Sequence, residues 1–402
     1  MDAQTQRLVR RFEQLLIEQR LDEASLVIDD LSDVDEVYAV ICRAQLDLIR
    51  GRRYDAMRAL ADVVARHPDH GRAWSIYAGV LFEMQRGEES LAAAQRAHAL
   101  GQRDATAWYN LGRAQCMQGD WAAGETSFQV ALKVDAGCAP ATFGLARVAL
   151  ARRDPGLALE RLSQVILHQP RYVAAYALAS QIFISAGKPE DAKELLEKVF
   201  TAEPTFLPPA GLLLEVCLRT GDLTRAEQVA QVMEPVAVVV GDIDALKTLA
   251  GYHIQRDRIP EAEALLRRAV EAAPAYAEPR FRLAQLYERA GFPDLALGAL
   301  EEAVSVDPDH PEAQNELASM LLERGGDDAL PRALAHAQRA EALEPAYLPA
   351  TFNQGVILAK LGDADAARPL LERVVQHPGA GPLRQRAQTL LRDYLPLQGE
   401  PS

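Results

Sequence analysis

Arg113 and Arg147 are the residues of this chain whose type and spacing most invite binding chemistry. They stand 34 residues apart, and each follows an aromatic residue by four places, Tyr109 and Phe143 respectively. A guanidinium donates paired, charge-assisted hydrogen bonds to a carboxylate, and here each would stand flanked by an aromatic ring. Two such groups on one surface would hold an acidic motif. The competing expectation is that each arginine pairs with a nearby Glu or Asp of its own chain.

Other chemistry finds little support in the residues. The sequence contains no GxSxG, GxxxxGK[ST], HExxH or GxGxxG pattern, so no nucleophile elbow, phosphate loop, zinc helix or dinucleotide turn is expected. Neither a cofactor nor a metal is expected, and the chain reads as noncatalytic. Of the eight histidines, His67, His70, His310 and His377 lie near prolines, where polar turn residues belong. His67 and His70 alone make a weak metal pair, with no third ligand close in sequence. Cys42, Cys116, Cys138 and Cys217 form no CxxC and read as reduced thiols of a cytoplasmic protein.

Charge narrows the partners. With 43 Lys+Arg against 57 Asp+Glu the chain of 402 residues carries −14. A general nucleic-acid or anionic-membrane binder needs a basic footprint, which this balance argues against. Apolar residues make up 49%, enough for a large core, yet no run approaches the roughly 18 apolar residues of a membrane span. The first twenty residues, MDAQTQRLVRRFEQLLIEQR, lack the apolar core of a signal peptide. The oligomeric state is open.

The elements that would position Arg113 and Arg147 follow a period of 34. Trp74 and Trp108 are separated by it, as are Pro170 and Pro204, and Pro274 and Pro308. Units starting at 37, 71, 105, 139, 173, 207, 243, 277, 311 and 348 follow a shorter first one over 5–36, with small insertions near 235–242 and 324–328. Each holds two blocks with apolar residues at helical spacing, separated by turns such as Gly119-Asp120, Gly221-Asp222 and Gly362-Asp363. A proline stops most second blocks.

Small residues recur at fixed places. The twentieth place holds Ala24, Ala56, Ser90, Gly124, Ala158, Ala192, Ala226, Ala262, Ala296, Ala333 and Ala367. The eighth holds Ala44, Ala78, Gly112, Ala146, Ser180, Ala250, Ala284, Ala318 and Gly355, with Leu214 the exception. Such residues let antiparallel helices approach closely, and Leu111, Phe128, Leu162, Leu196 and Leu300 would fill the gaps around them.

Trp108, Leu111, Gly112, Gly124, Phe128 and Ala131 in one unit, and Leu283, Ala284, Tyr287, Ala296, Leu300, Ala303 and Pro308 in another, resemble the tetratricopeptide repeat. The resemblance spans about 5–380. It implies an all-α, right-handed superhelical solenoid of about eleven helix hairpins, with residues 382–395 as a C-terminal capping helix carrying Leu383, Ala387, Leu390, Leu391 and Tyr394 on one face. It also implies that first helices line a concave groove. Carried over by place, that groove would hold Phe82, Tyr109, Arg113, Met117, Phe143, Arg147, Gln181, Ile184, Phe281, Arg289 and Phe352 as candidate partner-binding residues. Some of these would instead pack on the neighbouring unit. Members that clamp a chaperone's terminal carboxylate share a Lys/Asn set that Ser75, Gly79, Pro140 and Gly144 do not supply. Three asparagines, Asn110, Asn315 and Asn353, make no asparagine ladder of the sugar-transferase kind.

The expected organisation is one array over 5–242, a second over 243–395, and a disordered tail over 396–402. Around MEPVAVVVGDID the pattern breaks, which reads as a distorted second helix, a hinge between the two arrays or a contact patch; a kinked junction that keeps the stacking and largely buries Val236 to Val240 is the favoured expectation. The expected function is a protein-interaction scaffold or adaptor, in a bacterial cytoplasmic assembly serving pili, secretion, envelope polysaccharide or motility. The alternative is a regulatory or substrate-recruiting subunit of a separate enzyme, such as a glycosyl- or sulfotransferase.

Overall fold

The computed structural model describes residues 2–18, 20–50, 52–324 and 328–394, with side chains to Arg392. The expected tail over 396–402 lies outside the described residues. Two compact units divide the chain, residues 1–222 and 223–402; the expected division at 242–243 lies one helix further on. Among the described residues there are twenty-three α-helices and no strand.

The first unit holds α1 (Ala3–Ile17), α2 (Leu21–Ser32), α3 (Glu36–Ile49), α4 (Arg53–Arg66), α5 (Gly71–Glu83), α6 (Gly87–Ala99), α7 (Ala105–Met117), α8 (Trp121–Val134), α9 (Ala139–Ala151), α10 (Pro155–His168), α11 (Val173–Ser185), α12 (Pro189–Ala202) and α13 (Leu207–Thr220). The second holds α14 (Leu223–Val240), α15 (Ile243–Gln255), α16 (Ile259–Ala272), α17 (Glu278–Arg289), α18 (Pro293–Val306), α19 (Pro311–Arg324), α20 (Ala329–Leu343), α21 (Leu348–Lys360), α22 (Ala364–Gln376) and α23 (Gly381–Tyr394). Inside each unit successive helices pack as pairs, and each pair packs on the next. First helices of consecutive pairs also touch, as α5 touches α7 and α7 touches α9.

One turn chemistry joins the two helices of a pair. At the end of α7 the Asp120 N–H donates to the Gln115 carbonyl and the Gly119 N–H to the Cys116 carbonyl. This crossed arrangement satisfies the last carbonyls of the helix and requires a left-handed residue between them. Gly119, Gly187, Gly221, Gly291 and Gly362 supply it with positive φ. Gln85, Arg153 and Asp257 take the same place with φ near +60°, a conformation that costs an L residue about 1–2 kcal/mol. Asp120, Asp154 and Asp363 then cap the second helix, each accepting from the N–H three residues on.

Close helix approach is the packing rule. All eleven small residues of the twentieth place are buried, and so are all ten residues of the eighth, Leu214 included. Gly112 and Gly124 face each other across α7 and α8: a Cβ on Gly124 would come within 2.8 Å of the Gly112 carbonyl oxygen. Phe128 fills the space these glycines leave. A Cβ on Gly112 would meet its ring at 2.7 Å, and one on Gly144 of α9 would meet it at 2.6 Å. One ring thus spans two neighbouring pairs. At the end of the second unit, Ala387 of α23 is buried, and Leu383, Leu390 and Leu391 pack with it against Phe352, Leu371 and Val374, the cap that an open stack needs.

The irregular segment differs from expectation. The expected burial of Val236 to Val240 is not met: α14 runs on as an 18-residue helix through Pro235. Of its last turns only Ala237 is buried, while Val239 is 85% and Val240 68% exposed. The reason is length: the buried stripe Ala226, Val229, Ala230, Met233 and Ala237 keeps to one side of the helix. Val239 and Val240 then fall on the other.

Ala158 of α10 is fully buried among Ala146, Ala149 and Leu162. Ala158→Leu is expected to lower stability by about 1–3 kcal/mol through overpacking, read as an earlier midpoint in urea unfolding followed by circular dichroism.

Candidate partner-binding site

The residues expected to face a groove divide sharply once placed. Arg113 lies on α7 with its guanidinium reaching to α5: Nη1 donates to Glu83 Oε1 at 2.7 Å and Nη2 to the Gly79 carbonyl at 2.8 Å. Its side chain is only 12% exposed. Gly79 makes this possible, because a Cβ there would sit 2.7 Å from Nη2. The guanidinium also lies over two rings, 4.4 Å from the Phe82 centroid and 5.2 Å from that of Tyr109. Arg113 is thus fastened between two first helices, as the local-pairing expectation had it. Its Nε is buried without a hydrogen-bond partner.

Arg147 behaves differently. It is exposed on α9, its guanidinium 6.0 Å from the Phe82 ring on which Arg113 also stacks. No carboxylate forms an ion pair with it among the described residues. Phe143, four residues before it, is half-buried and meets Tyr172 at 5.6 Å between ring centroids. Tyr109 meets Phe128 at 6.0 Å. Burial, aided by the neighbouring Tyr109, holds the Tyr172 hydroxyl well above the usual phenol range, so it is a neutral O–H at physiological pH. Phe82, Tyr109, Arg113, Phe143 and Arg147 therefore come together on one face of α5, α7 and α9.

Met117 ends α7 half-buried, with its sulfur close against Gly87. Gln181 is exposed and Ile184 half-buried on α11, and Arg289 is exposed at the end of α17. Phe281 and Phe352 correct the expectation: at 6% and 3% exposure they are core residues rather than open groove surface. Phe281 sits among Leu317, Leu321 and Ala313, and Phe352 among Leu371, Val374 and Ala380. Phe281 is packed among residues of the next first helix, α19, and Phe352 among residues of α22 and α23, so these two rings are taken into the core, whereas Tyr109 and Phe143 at the same place of their units stay half-buried. Asn110 is also structural: buried, it donates to the Ser75 carbonyl at 2.8 Å.

Tyr172 escaped the sequence reading because it stands in the turn before α11, outside the helical pattern. A signal was present. An aromatic or histidine follows the unit-ending proline by two places at His70, Tyr172, Phe206, Tyr276, His310 and Tyr347. Two of these, His70 and His310, cap the following helix through Nδ1, which accepts from the Ala73 and Ala313 N–H groups.

In the second unit His310 sits between two carboxylates, Nε2 at 3.2 Å from Glu278 and Nδ1 at 3.2 Å from Glu312. Burial opposes its charge, but the hydrogen bonds to Glu278 and Glu312 outweigh burial and raise it to about 9. Burial likewise opposes the Glu278 charge. The His310 hydrogen bond and the nearby Arg282 and Lys247 charges win there, lowering it to about 2. A protonated His310 donates from both nitrogens, so the Ala313 cap exists only in the neutral ring. Protonation exchanges a helix cap for two ion pairs. Elsewhere burial pushes the Cys42 thiol up to about 12 and that of Cys116 to about 11. All four cysteines are free, and neither of these two is a thiolate near neutral pH.

Tetratricopeptide repeat models match residues 43–102, 81–140, 143–205 and 327–382, and a second such model matches 183–250 and 253–319. The matches cover well over half of the chain, which belongs to the tetratricopeptide repeat family. Repeats of this family form protein-interaction scaffolds. No curated protein matches the sequence significantly. Among solved structures, yeast Tom70 is similar over 96% of this chain and 95% of its own, at 13% identity and a TM-score of 0.53; that likeness is one of fold. TTC0263, a thermophilic TPR protein of Thermus thermophilus, is 18% identical over 45% of this chain and 99% of its own, at a TM-score of 0.38. YrrB, described as a TPR protein with an unusual peptide-binding site, is 19% identical over 49% of this chain and 100% of its own, at 0.37. No described helix is long and apolar enough to cross a membrane.

The two arginines should separate in mutagenesis. Arg113→Ala strands the Gly79 carbonyl and Glu83 and is expected to cost about 1–3 kcal/mol, whereas Arg147→Ala should stay within about 0.5 kcal/mol of wild type; urea unfolding of both variants checks this. His310 gives a pH signature. Its raised value contributes stability that is full below about 6.5 and lost as pH rises through about 9, while that of Glu278 is full above about 4.5 and lost as pH falls through about 2. The stability gap between wild type and His310→Gln should therefore be widest near pH 5–6 and shrink on the alkaline side. A gap constant from pH 6 to pH 10 would contradict the ion-pair reading.

Proposed function

We propose that this chain is a noncatalytic adaptor of the bacterial cytoplasm that receives a partner polypeptide on the α5–α7–α9 face of its first unit. The assembly it serves is of the pilus, secretion, envelope-polysaccharide or motility kind. The observation that carries the reading is the cluster of Phe82, Tyr109, Phe143 and Tyr172 with Arg147 uncommitted beside them. Half-buried rings next to a charge without a counterion gain more from a partner than a solvated helix face does. Family membership supports the scaffold role. The bacterial assignment is supported by composition alone: six lysines against 37 arginines, and three asparagines, fit a GC-rich genome.

Affinity purification from the native host tests this with the full chain and its Tyr109→Ala variant. The expected result is a specific co-purifying protein that the variant loses while its circular dichroism stays unchanged. An identical set of proteins on both would remove this face from the account.

A further inference from the structure

We propose that the α5–α7–α9 face selects an extended peptide bearing an internal Asp or Glu side chain, whose carboxylate pairs with Arg147 while apolar neighbours lie on Phe82 and Phe143. This inference rests on the adaptor reading above and names the chemistry of its partner.

The charge arrangement leads to the carboxylate. Phe82 lies beneath two guanidiniums, 4.4 Å from that of Arg113 and 6.0 Å from that of Arg147. Two cations beside one ring repel each other, and the protein neutralises only one of them. Glu83 and the Gly79 carbonyl occupy Arg113. Arg147 has no ion-pair partner among the described residues, and no hydrogen bond holds it. An incoming carboxylate supplies the missing counter-charge, beside aromatic surface that lowers the local polarity and so strengthens the pair. A cationic ligand would meet two guanidiniums, and Glu83 beside them is already paired with Arg113.

The same inventory favours a side chain over a chain terminus. A terminal carboxylate is held when several free donors converge on it. Here Arg113 Nη1 and Nη2 each already donate within the chain and its Nε is buried, Asn110 is turned to Ser75, and Gly144 on α9 brings no side chain. One free guanidinium matches one side-chain carboxylate. First helices packed about 8–10 Å apart place the span from α5 to α9 near 20 Å, or about six extended residues. The ligand is therefore a short segment rather than a single residue. The overall charge of −14 repels acidic ligands at long range, so recognition is local and the net field slows arrival.

The test is selection of displayed, internally embedded dodecapeptides on the full-length protein. Recovered sequences are then synthesised with acetylated and amidated ends. The expected consensus has an acidic residue at one fixed position flanked by apolar residues. Arg147→Glu should weaken such a peptide by about tenfold or more, and Arg147→Lys by less, since the charge remains but the paired geometry is lost. Circular dichroism of the variants confirms that they fold. A consensus without an acidic position, a basic consensus, affinity that needs a free terminal carboxylate, or no recovered consensus overturns the proposal. Whether the face binds any partner is read separately from the Tyr109→Ala purification. Loss of a natural partner there with a non-acidic consensus here discards the carboxylate and keeps the adaptor. An Arg147-dependent acidic consensus with no partner lost there does the reverse.

Discussion

Everything in this molecule depends on how near two helices can come. The distance is set by residues with almost no side chain, eleven at the twentieth place of the repeat and most of those at the eighth, all buried. Added volume at such a place meets atoms already in contact: the Phe128 ring at Gly112, the Cys116 sulfur and the Gly112 carbonyl at Gly124, and the Leu371 side chain at Gly355. Dispersion contacts along the seam then hold the pair. Larger residues such as Phe128 and Leu162 close the remaining gaps, so volume is exchanged between neighbouring places rather than varied freely.

The candidate site is a product of the same rule. Arg113 bridges α7 to α5 only because position 79 is glycine, and the space left by the missing side chain is filled by a guanidinium. That guanidinium is fixed by Glu83 and stacked on Phe82 and Tyr109, and it braces the rings it touches. A charged residue here has a structural duty, and its counterpart one repeat later does not. Equivalent places in a repeat thus have unequal roles, decided by what the preceding helix presents: Gly79 and Glu83 before Arg113, Arg113 itself and Cys116 before Arg147.

Much of the fold was legible because its cause is local and repeated. The unit starts at 71, 105, 139, 173, 207, 243, 311 and 348 coincide with the first residues of α5, α7, α9, α11, α13, α15, α19 and α21. Periodicity, glycine turns and capping aspartates all act within a few residues. The site was legible only in part. Tyr109, Phe143, Arg113 and Arg147 share a face, but the burial of Phe281 and Phe352 depends on the side chains of an adjacent helix, which their own unit does not encode. Tyr172 was missed because it belongs to a turn. The valines at the end of α14 misled because β-branched residues suggest burial, whereas a continued helix carries them round to solvent.

Phe128 spans two repeats, with Gly112 on one side and Gly144 on the other. The ring is wedged between the two repeats, so neither can tilt at this seam without displacing it, and Tyr109, Phe143 and Arg147 stand on the helices it joins. A surface held in one shape surrenders little motional freedom if a ligand associates with it. A short and loosely structured segment, which must itself be ordered, can then bind with most of that entropic loss falling on the segment alone.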